Sequence, residues 1–342
     1  MKSPMKNRQK IAVIGAGSWG TAIAGFLSVK GYETLLWGHR ADTIQEMIRD
    51  GENKKYLPGL VFSKNLKPTA DIREAVKDAH VVCMVVPSHG FRDVFCEAVD
   101  FIEPQCHVIS AVKGIENGTL MTMSQIMSEL VESRRKDSGI TLSVLSGPSF
   151  AREVADGLPA AVTIGSREIE TARELQIIFS TDKLRVYTSN DVIVIEICAA
   201  FKNIVAIAAG ISDGIGFGLN ARAAIITRGL AEICRLGMKM GAEKDTFSGL
   251  SGIGDLILTC TGDLSRNRSV GIRLGKGLSL EEILQDMKMV AEGVKTTLSG
   301  YHLSRKYEIE MPILEQVYQI LYKKKDCAIA VRDLIKRELK DE

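Results

Sequence analysis

The sequence predicts an α/β protein in two parts, a mostly parallel, helix-covered sheet over residues 1–190 and an all-helical domain over residues 191–342. Three observations carry this. A chain of 342 residues exceeds what one hydrophobic core usually serves. From Lys10 to about Asn190, short β-branched runs alternate with amphipathic segments, the rhythm of parallel strands joined by crossover helices. Beyond Asn190 the texture changes: no proline falls between Pro159 and Pro312, whereas seven of the eight lie at or before Pro159. Nothing interrupts long helices there.

The strand segments, in order, are Ile11–Ile14, Glu33–Trp37, His80–Val86, His107–Ala111, Thr141–Leu145 and Ala161–Ile164, most of them followed by a helix-like stretch. The domain boundary is expected near Thr188–Asp191, where a long helix leaves the sheet and opens the second part. Its apolar run, Val192 to Ile211, is interrupted by Glu196, Lys202 and Asn203, so it reads as a buried helix rather than a membrane span. Glycines crowd the stretch from Gly210 to Gly254, as helix-to-helix turns or close helix contacts. There is no internal repeat.

Composition narrows the function classes. With 44 basic against 42 acidic residues the net charge is +2, which provides no global field for nucleic acid or an anionic membrane. The seven cysteines are odd in number and form no C-x-x-C pair, so neither a disulfide framework nor a metal site is suggested, and a cytoplasmic location is expected. Residues Met1 to Lys10 are polar and basic, without the apolar core of a secretory signal.

The turn Gly15-Ala16-Gly17-Ser18-Trp19-Gly20 follows an apolar strand and opens a helical pattern, the context in which G-x-G-x-x-G marks a Rossmann-type dinucleotide site. Gly15 permits the tight turn, Gly17 admits a pyrophosphate, and Gly20 lets helix and strand approach. About twenty residues on, an NAD-selective site commonly carries an acid on the ribose hydroxyls. Here the second strand ends in Gly38-His39-Arg40. Arg40, with His39, suits a 2′-phosphate, so NADP should be accepted as well as NAD. His89, in Pro87-Ser88-His89 after a strand, is open as an acid or base, a loop contact or a cofactor contact.

Three further segments point to a reacting centre: Ala111-Val112-Lys113-Gly114, Ser146-Gly147-Pro148-Ser149-Phe150-Ala151 and Ala199-Ala200-Phe201-Lys202-Asn203. A lysine among apolar helix residues has a charge that is costly to bury, so Lys202 should reach a cavity or a carboxylate. Desolvation and a second cation would lower its pKa toward that of a base working near neutral pH. Further on, Ser265, Arg266 and Asn267 suit a phosphate, with a planar fork of donors at a helix start. Taken alone, that cluster reads equally well as a solvated loop.

Taken in order with Gly252-Ile253-Gly254-Asp255-Leu256 and Glu292-Gly293, these motifs resemble those of the bacterial-type glycerol-3-phosphate dehydrogenase [NAD(P)+] family, from Lys10 to about Val331. The resemblance implies interconversion of sn-glycerol 3-phosphate and dihydroxyacetone phosphate, supplying glycerol phosphate for phospholipids. It implies Lys202 as proton acceptor, with Lys113 beside it contacting substrate and cofactor. Gly147, Ser149, Asp255, Ser265, Arg266 and Asn267 would hold the substrate. Gly15, Gly17, Ser18, Trp19, Gly20, His39, Arg40, Ala151, Arg266, Val290 and Glu292 would hold the cofactor. From the residues alone, Val290-Ala291-Glu292-Gly293 reads as a helix end. Two rivals remain open at this level: a 3-hydroxy acid dehydrogenase of similar build, and a dinucleotide sensor without chemistry. The expected partner is a small phosphorylated triose or glycerol, with no nucleic acid or integral membrane segment, and a homodimer left open.

Overall fold

A computed structural model describes residues 9–287 and 291–338. The chain divides into two compact units, one formed by residues 1–112 and 123–192, the other by residues 113–122 and 193–342. The chain therefore passes from one unit to the other three times.

Among the described residues the first unit has ten strands: β1 (Lys10–Ile14), β2 (Glu33–Trp37), β3 (Glu52–Asn53), β4 (Leu57–Val61), β5 (Leu66–Thr69), β6 (Ala79–Met84), β7 (His107–Ser110), β8 (Thr141–Ser146), β9 (Ala160–Ser166) and β10 (Leu184–Ser189). Eight of them form one sheet in the order β10-β9-β8-β7-β6-β1-β2-β5, while β3 and β4 make a separate hairpin. All pairs in the large sheet are parallel except β8 with β9. β1 sits in the middle with Ile11, Ala12, Val13 and Ile14 fully buried, as a strand covered on both faces requires. Its end residue Ile14 lies level with Trp37 and Met84, which brings three strand ends together beside the turn that follows.

Six strands coincide with apolar runs in the sequence; β5, β10 and the β3–β4 hairpin do not. β5 contains Pro68 and lies on an edge, the place where a sheet tolerates proline. β10 is the opposite edge and alternates buried Leu184 and Val186 with exposed Arg185 and Tyr187. An edge strand half open to water leaves only a weak apolar signature.

The second unit is helical. Its spine is the helix Val192–Ile215, joined by Gly218–Lys239, Asp255–Thr261, Arg266–Gly275, Glu292–Lys306 and Pro312–Lys323. The Val192 helix is long and apolar enough to cross a membrane by length and composition, and most of it is buried inside the protein. Two glycine pairs set its closest contact. A Cβ on Gly210 would overlap the carbonyl oxygen of Arg268, and one on Gly214 that of Ile272. From the other side, Gly271 and Gly275 face the carbonyls of Ile207 and Ile211 just as closely. Each pair is spaced four residues apart, so the Val192 and Arg266 helices meet backbone to backbone along one seam. Gly210 and Gly214 are thus helix contacts, whereas Gly216, Gly218 and Gly241 lie at turns with positive φ.

Glu232, buried on the Gly218 helix, caps a second helix. Its carboxylate accepts hydrogen bonds from the backbone N–H groups of Ile313 (2.7 Å) and Leu314 (3.3 Å) at the start of the Pro312 helix. Burial pushes its pKa up to about 7, and the two N–H groups only partly oppose this. A folded-state pKa above the unfolded value makes the stabilising contribution largest at low pH and removes it as pH rises through about 7. The Tm of Glu232→Gln, measured relative to the parent protein, should therefore rise from pH ~6 to pH ~8, by an amount corresponding to about 1.3 kcal/mol. A difference independent of pH would show that Glu232 is already ionised in the folded state over that range, its pKa not raised.

Candidate active site

In the sheet unit, β1 ends at Gly15, whose φ of +127° an L side chain rarely adopts. Its N–H donates to the Trp37 carbonyl at 2.9 Å. The helix Ser18–Val29 follows with Gly17 as N-cap, no side-chain cap and no acidic residue in its first turn. The positive end of its dipole therefore carries no acidic side chain of its own first turn. The glycines divide the work. A Cβ on Gly20 would overlap the Gly15 carbonyl oxygen, so Gly20 is required by the protein's own packing. A Cβ on Gly17 would meet nothing within 4 Å, so the fold does not require that glycine. An open face at Gly17 is what a pyrophosphate needs for close approach. The Trp19 indole nitrogen is buried with no hydrogen-bond partner, a donor left for a ligand to satisfy. The turn fits a dinucleotide.

Asn53, on the β3–β4 hairpin, was not visible as a site residue in the sequence. It is fully buried and donates to the Ala16 carbonyl (3.0 Å) and the Thr21 hydroxyl (2.8 Å), while Ser18 Oγ donates to the Tyr56 carbonyl (2.6 Å). The hairpin thus braces the turn from outside the sheet. At the end of β2, His39 and Arg40 are exposed, and Arg40 forms a forked pair with Asp42 (Nε 3.1 Å, terminal nitrogen 2.5 Å). The hydrogen bonds from Arg40 hold the Asp42 carboxyl well below its ordinary range. His89 is exposed in the short turn Ser88–Gly90. After β8, Gly147 has φ +144° and lies against Val162, Ser149 Oγ donates back to the Gly147 carbonyl (2.9 Å), and Ala151 opens the helix Ala151–Ala155.

The helical unit gathers the titratable groups. Lys202, 5% exposed on the Val192 helix, donates to Asp255 Oδ1 at 2.9 Å and to Thr259 Oγ1 at 2.7 Å. Lys113 donates to the other carboxylate oxygen, Asp255 Oδ2, at 2.8 Å. Asp255 is the first residue of its helix, placed there by the tight Leu250–Gly254 turn, where a Cβ on Gly252 would overlap the Phe247 carbonyl. A carboxylate at a helix start is favoured by the dipole. Burial lowers the Lys202 pKa to about 8; Asp255 pulls it up and Lys113 pushes it further down. Burial opposes ionisation of Asp255, but the two lysines overcome it and hold its pKa below the usual value. Two ammonium groups on one buried carboxylate leave a net positive charge, an arrangement that can stabilise an oxyanion. Thr259 was missed in the sequence, although its i+4 spacing from Asp255 on one helix predicts the shared face.

Ser265 is the N-cap of the Arg266 helix, its hydroxyl accepting from the Arg268 N–H at 3.2 Å. Arg266 reaches water, although surrounding protein lowers its pKa by desolvation and Glu292 partly restores it. Asn267 is buried: it donates to Asn203 Oδ1 and accepts the Gly293 N–H, both at 2.9 Å. It therefore ties three helices together. Glu292 opens the helix Glu292–Lys306 rather than closing one, which corrects the sequence reading of Val290–Gly293 as a helix end. Gly293 is small because a Cβ would crowd the Asn203 carbonyl and Asn267 Oδ1, not because a helix stops there. Val290 lies outside the described residues.

Comparisons with known proteins agree on one family. The sequence model of the NAD-dependent glycerol-3-phosphate dehydrogenase N-terminus matches residues 10–172, and that of its C-terminus matches residues 191–332. Glycerol-3-phosphate dehydrogenase [NAD(P)+] of Desulfotalea psychrophila is 57% identical over 332 residues, 97% of this chain and 98% of that protein. The protein of the same name from Citrifermentans bemidjiense is 52% identical over 98% of this chain and 99% of its own length. Among solved structures, glycerol-3-phosphate dehydrogenase from Coxiella burnetii superposes with a TM-score of 0.91 at 39% identity, covering 96% of this chain and 99% of that one. A ketopantoate reductase structure from Ralstonia eutropha, 15% identical with a TM-score of 0.57, shares the fold alone. The chain belongs to the NAD-dependent glycerol-3-phosphate dehydrogenase family.

Proposed function

We propose that this protein interconverts sn-glycerol 3-phosphate and dihydroxyacetone phosphate with NAD(P), using Lys202 as the proton acceptor. The observation that carries the reading is the pair of lysines on the buried Asp255 carboxylate, in a chain of this family. Residues 1–190 form the dinucleotide-binding domain, which also lends Lys113, Gly147 and Ser149 to the substrate, and residues 191–342 form the helical substrate-binding and catalytic domain. A nicotinamide dinucleotide held at the Gly15–Gly20 turn would supply the hydride acceptor or donor. Oxidation of a secondary alcohol also releases the hydroxyl proton, and neutral Lys202 takes it. The Lys113 ammonium stabilises the negative charge that develops on that oxygen. Asp255 holds both nitrogens at fixed positions, and Arg266, with Ser265, Asn267, Gly147 and Ser149, grips the phosphorylated substrate.

Gly15, Gly17, Ser18, Trp19 and Gly20 hold the dinucleotide, with Ala151, Glu292, Lys113 and Arg266 as further contacts. Exposed Arg40, with His39, gives a 2′-phosphate a charged partner, so both NADPH and NADH serve. In the cell the enzyme works in the cytoplasm and supplies glycerol phosphate for phospholipid synthesis; a homodimer is its proposed assembly.

Loss of NADPH or NADH absorbance with dihydroxyacetone phosphate tests the activity directly, and absence of any substrate-dependent loss would sink it. Lys202→Ala should lower kcat at least about 1,000-fold while leaving cofactor affinity within twofold. In the parent enzyme, glycerol 3-phosphate oxidation should slow as pH falls through about 8, where Lys202 becomes protonated, and the reductive direction should slow above it. Arg266→Ala should raise KM for dihydroxyacetone phosphate at least about tenfold, more than it lowers kcat; an unchanged KM rejects the phosphate clamp. Gly17→Ala should weaken NADPH binding by about tenfold or more while Tm stays near that of the parent, whereas Gly20→Ala should lower Tm itself. Equal effects of the two on stability would remove the distinction between the glycines.

A further inference from the structure

We infer that Glu196 is a positioning residue for the reacting lysines: its carboxylate, by accepting the Thr122 hydroxyl, fixes the hairpin that carries Lys113 onto the helix that carries Lys202. The inference rests on the proposed roles of Lys202 and Lys113 and adds the device that sets their spacing.

Residues Lys113–Thr122 interrupt the sheet unit in sequence, between β7 and the helix Met123–Arg134, yet they pack with the helical unit. The segment is a small hairpin, closed by an antiparallel bridge between Ile115 and Thr122 and by the Glu116 N–H donating to the Met121 carbonyl at 2.9 Å. Lys113 stands two residues before one half of that bridge; Thr122 is the other half. Thr122 Oγ1 donates to Glu196 Oε2 at 2.8 Å, with both residues buried. Ser299, also buried, donates to the Ile115 carbonyl at 3.3 Å, and the Ile115 side chain sits in the helical core.

Glu196 lies between Ile195 and Ile197 on a long, mostly buried apolar helix, where a carboxylate costs more than a leucine would. Its hydrogen bond gives that charge a use. Glu196 and Lys202 are six residues apart on one rigid helix, a fixed rise of about 9 Å. Anchoring the hairpin at Glu196 therefore references Lys113 and Lys202 to the same rigid body, so that the two ammonium groups reach opposite oxygens of Asp255. The charged groups facing Lys202 are Asp255 and Lys113; the nearby Cys260 thiol is kept neutral by burial. If the hairpin slips, Lys113 leaves Asp255, its repulsion of Lys202 is lost, and Lys202 holds its proton to higher pH.

The test compares full-length Thr122→Val, Glu196→Ala, Glu196→Gln and Lys113→Met in kcat and KM for glycerol 3-phosphate oxidation across pH, with Tm and NADPH affinity as controls. Thr122→Val, which keeps shape and removes the donor, and Glu196→Ala should lower kcat about tenfold with a smaller change in KM. Both should move the acid limb of kcat to higher pH by about half a unit. Glu196→Gln keeps an acceptor for Thr122 and should restore both features. The inference is overturned if Glu196→Gln is as impaired as Glu196→Ala. It is equally overturned if Thr122→Val and Glu196→Ala leave the limb in place while Lys113→Met moves it. A limb that Lys113→Met does not move overturns the reading of the lysine pair itself, a failure distinct from that of Glu196.

Discussion

A carboxylate taken out of water between two ammonium groups is favourable only when each oxygen keeps a partner at hydrogen-bond distance, because the desolvation of all three charges must be offset by their mutual attraction. Asp255 meets that condition with Lys202 on one oxygen and Lys113 on the other. The arrangement explains several choices around it. The glycine-rich turn before Asp255 delivers it to the first position of a helix. Thr259, one turn later, supplies Lys202 with a second acceptor and donates its own hydroxyl hydrogen bond to the Asp255 carbonyl at 2.6 Å. Lys113, Lys202 and Thr259 each donate to an acceptor within this cluster, so the low dielectric strengthens those interactions.

Around this centre the helical unit uses close backbone approach where most domains use side-chain packing. The seam of Gly210 and Gly214 against Gly271 and Gly275 fixes the Arg266 helix on the helix that carries Lys202. Asn267 locks the same contact with polar bonds to Asn203 and Gly293, and Asp213 holds Arg222 and Arg268 at 2.8 Å each. Position and charge are thus set by rigid elements, with the long side chains of Lys202 and Arg266 extending from them.

The sheet and the dinucleotide turn were legible in the sequence because β1, β2 and β6 are buried on both faces and read as apolar runs, and because Gly15, Gly17 and Gly20 answer to separate steric demands. Edge strands such as β5 and β10 were not, since their composition is half set by water. Lys202 stood out as a charge inside an apolar helix. Thr259 and Asn53 did not, because a hydroxyl or an amide is common everywhere and gains meaning only from a partner distant in the chain. Glu292 and Gly293 misled for the same reason: a glycine chosen by the neighbouring Asn203 carbonyl is indistinguishable, in one dimension, from a glycine that ends a helix.

The Lys113–Thr122 hairpin also constrains how the protein is made. It is synthesised long before Glu196, Asp255 and Ser299, the residues that hold it. During translation the sheet unit can pair its strands while the hairpin, with its apolar Ile115, still waits for the helical unit to emerge. Neither unit corresponds to an uninterrupted stretch of chain, so a cut near residue 190 would separate Lys113 from its partners rather than release two finished domains. The contacts of Lys113 with Asp255 and of Thr122 with Glu196 can form only once the helical unit has been made.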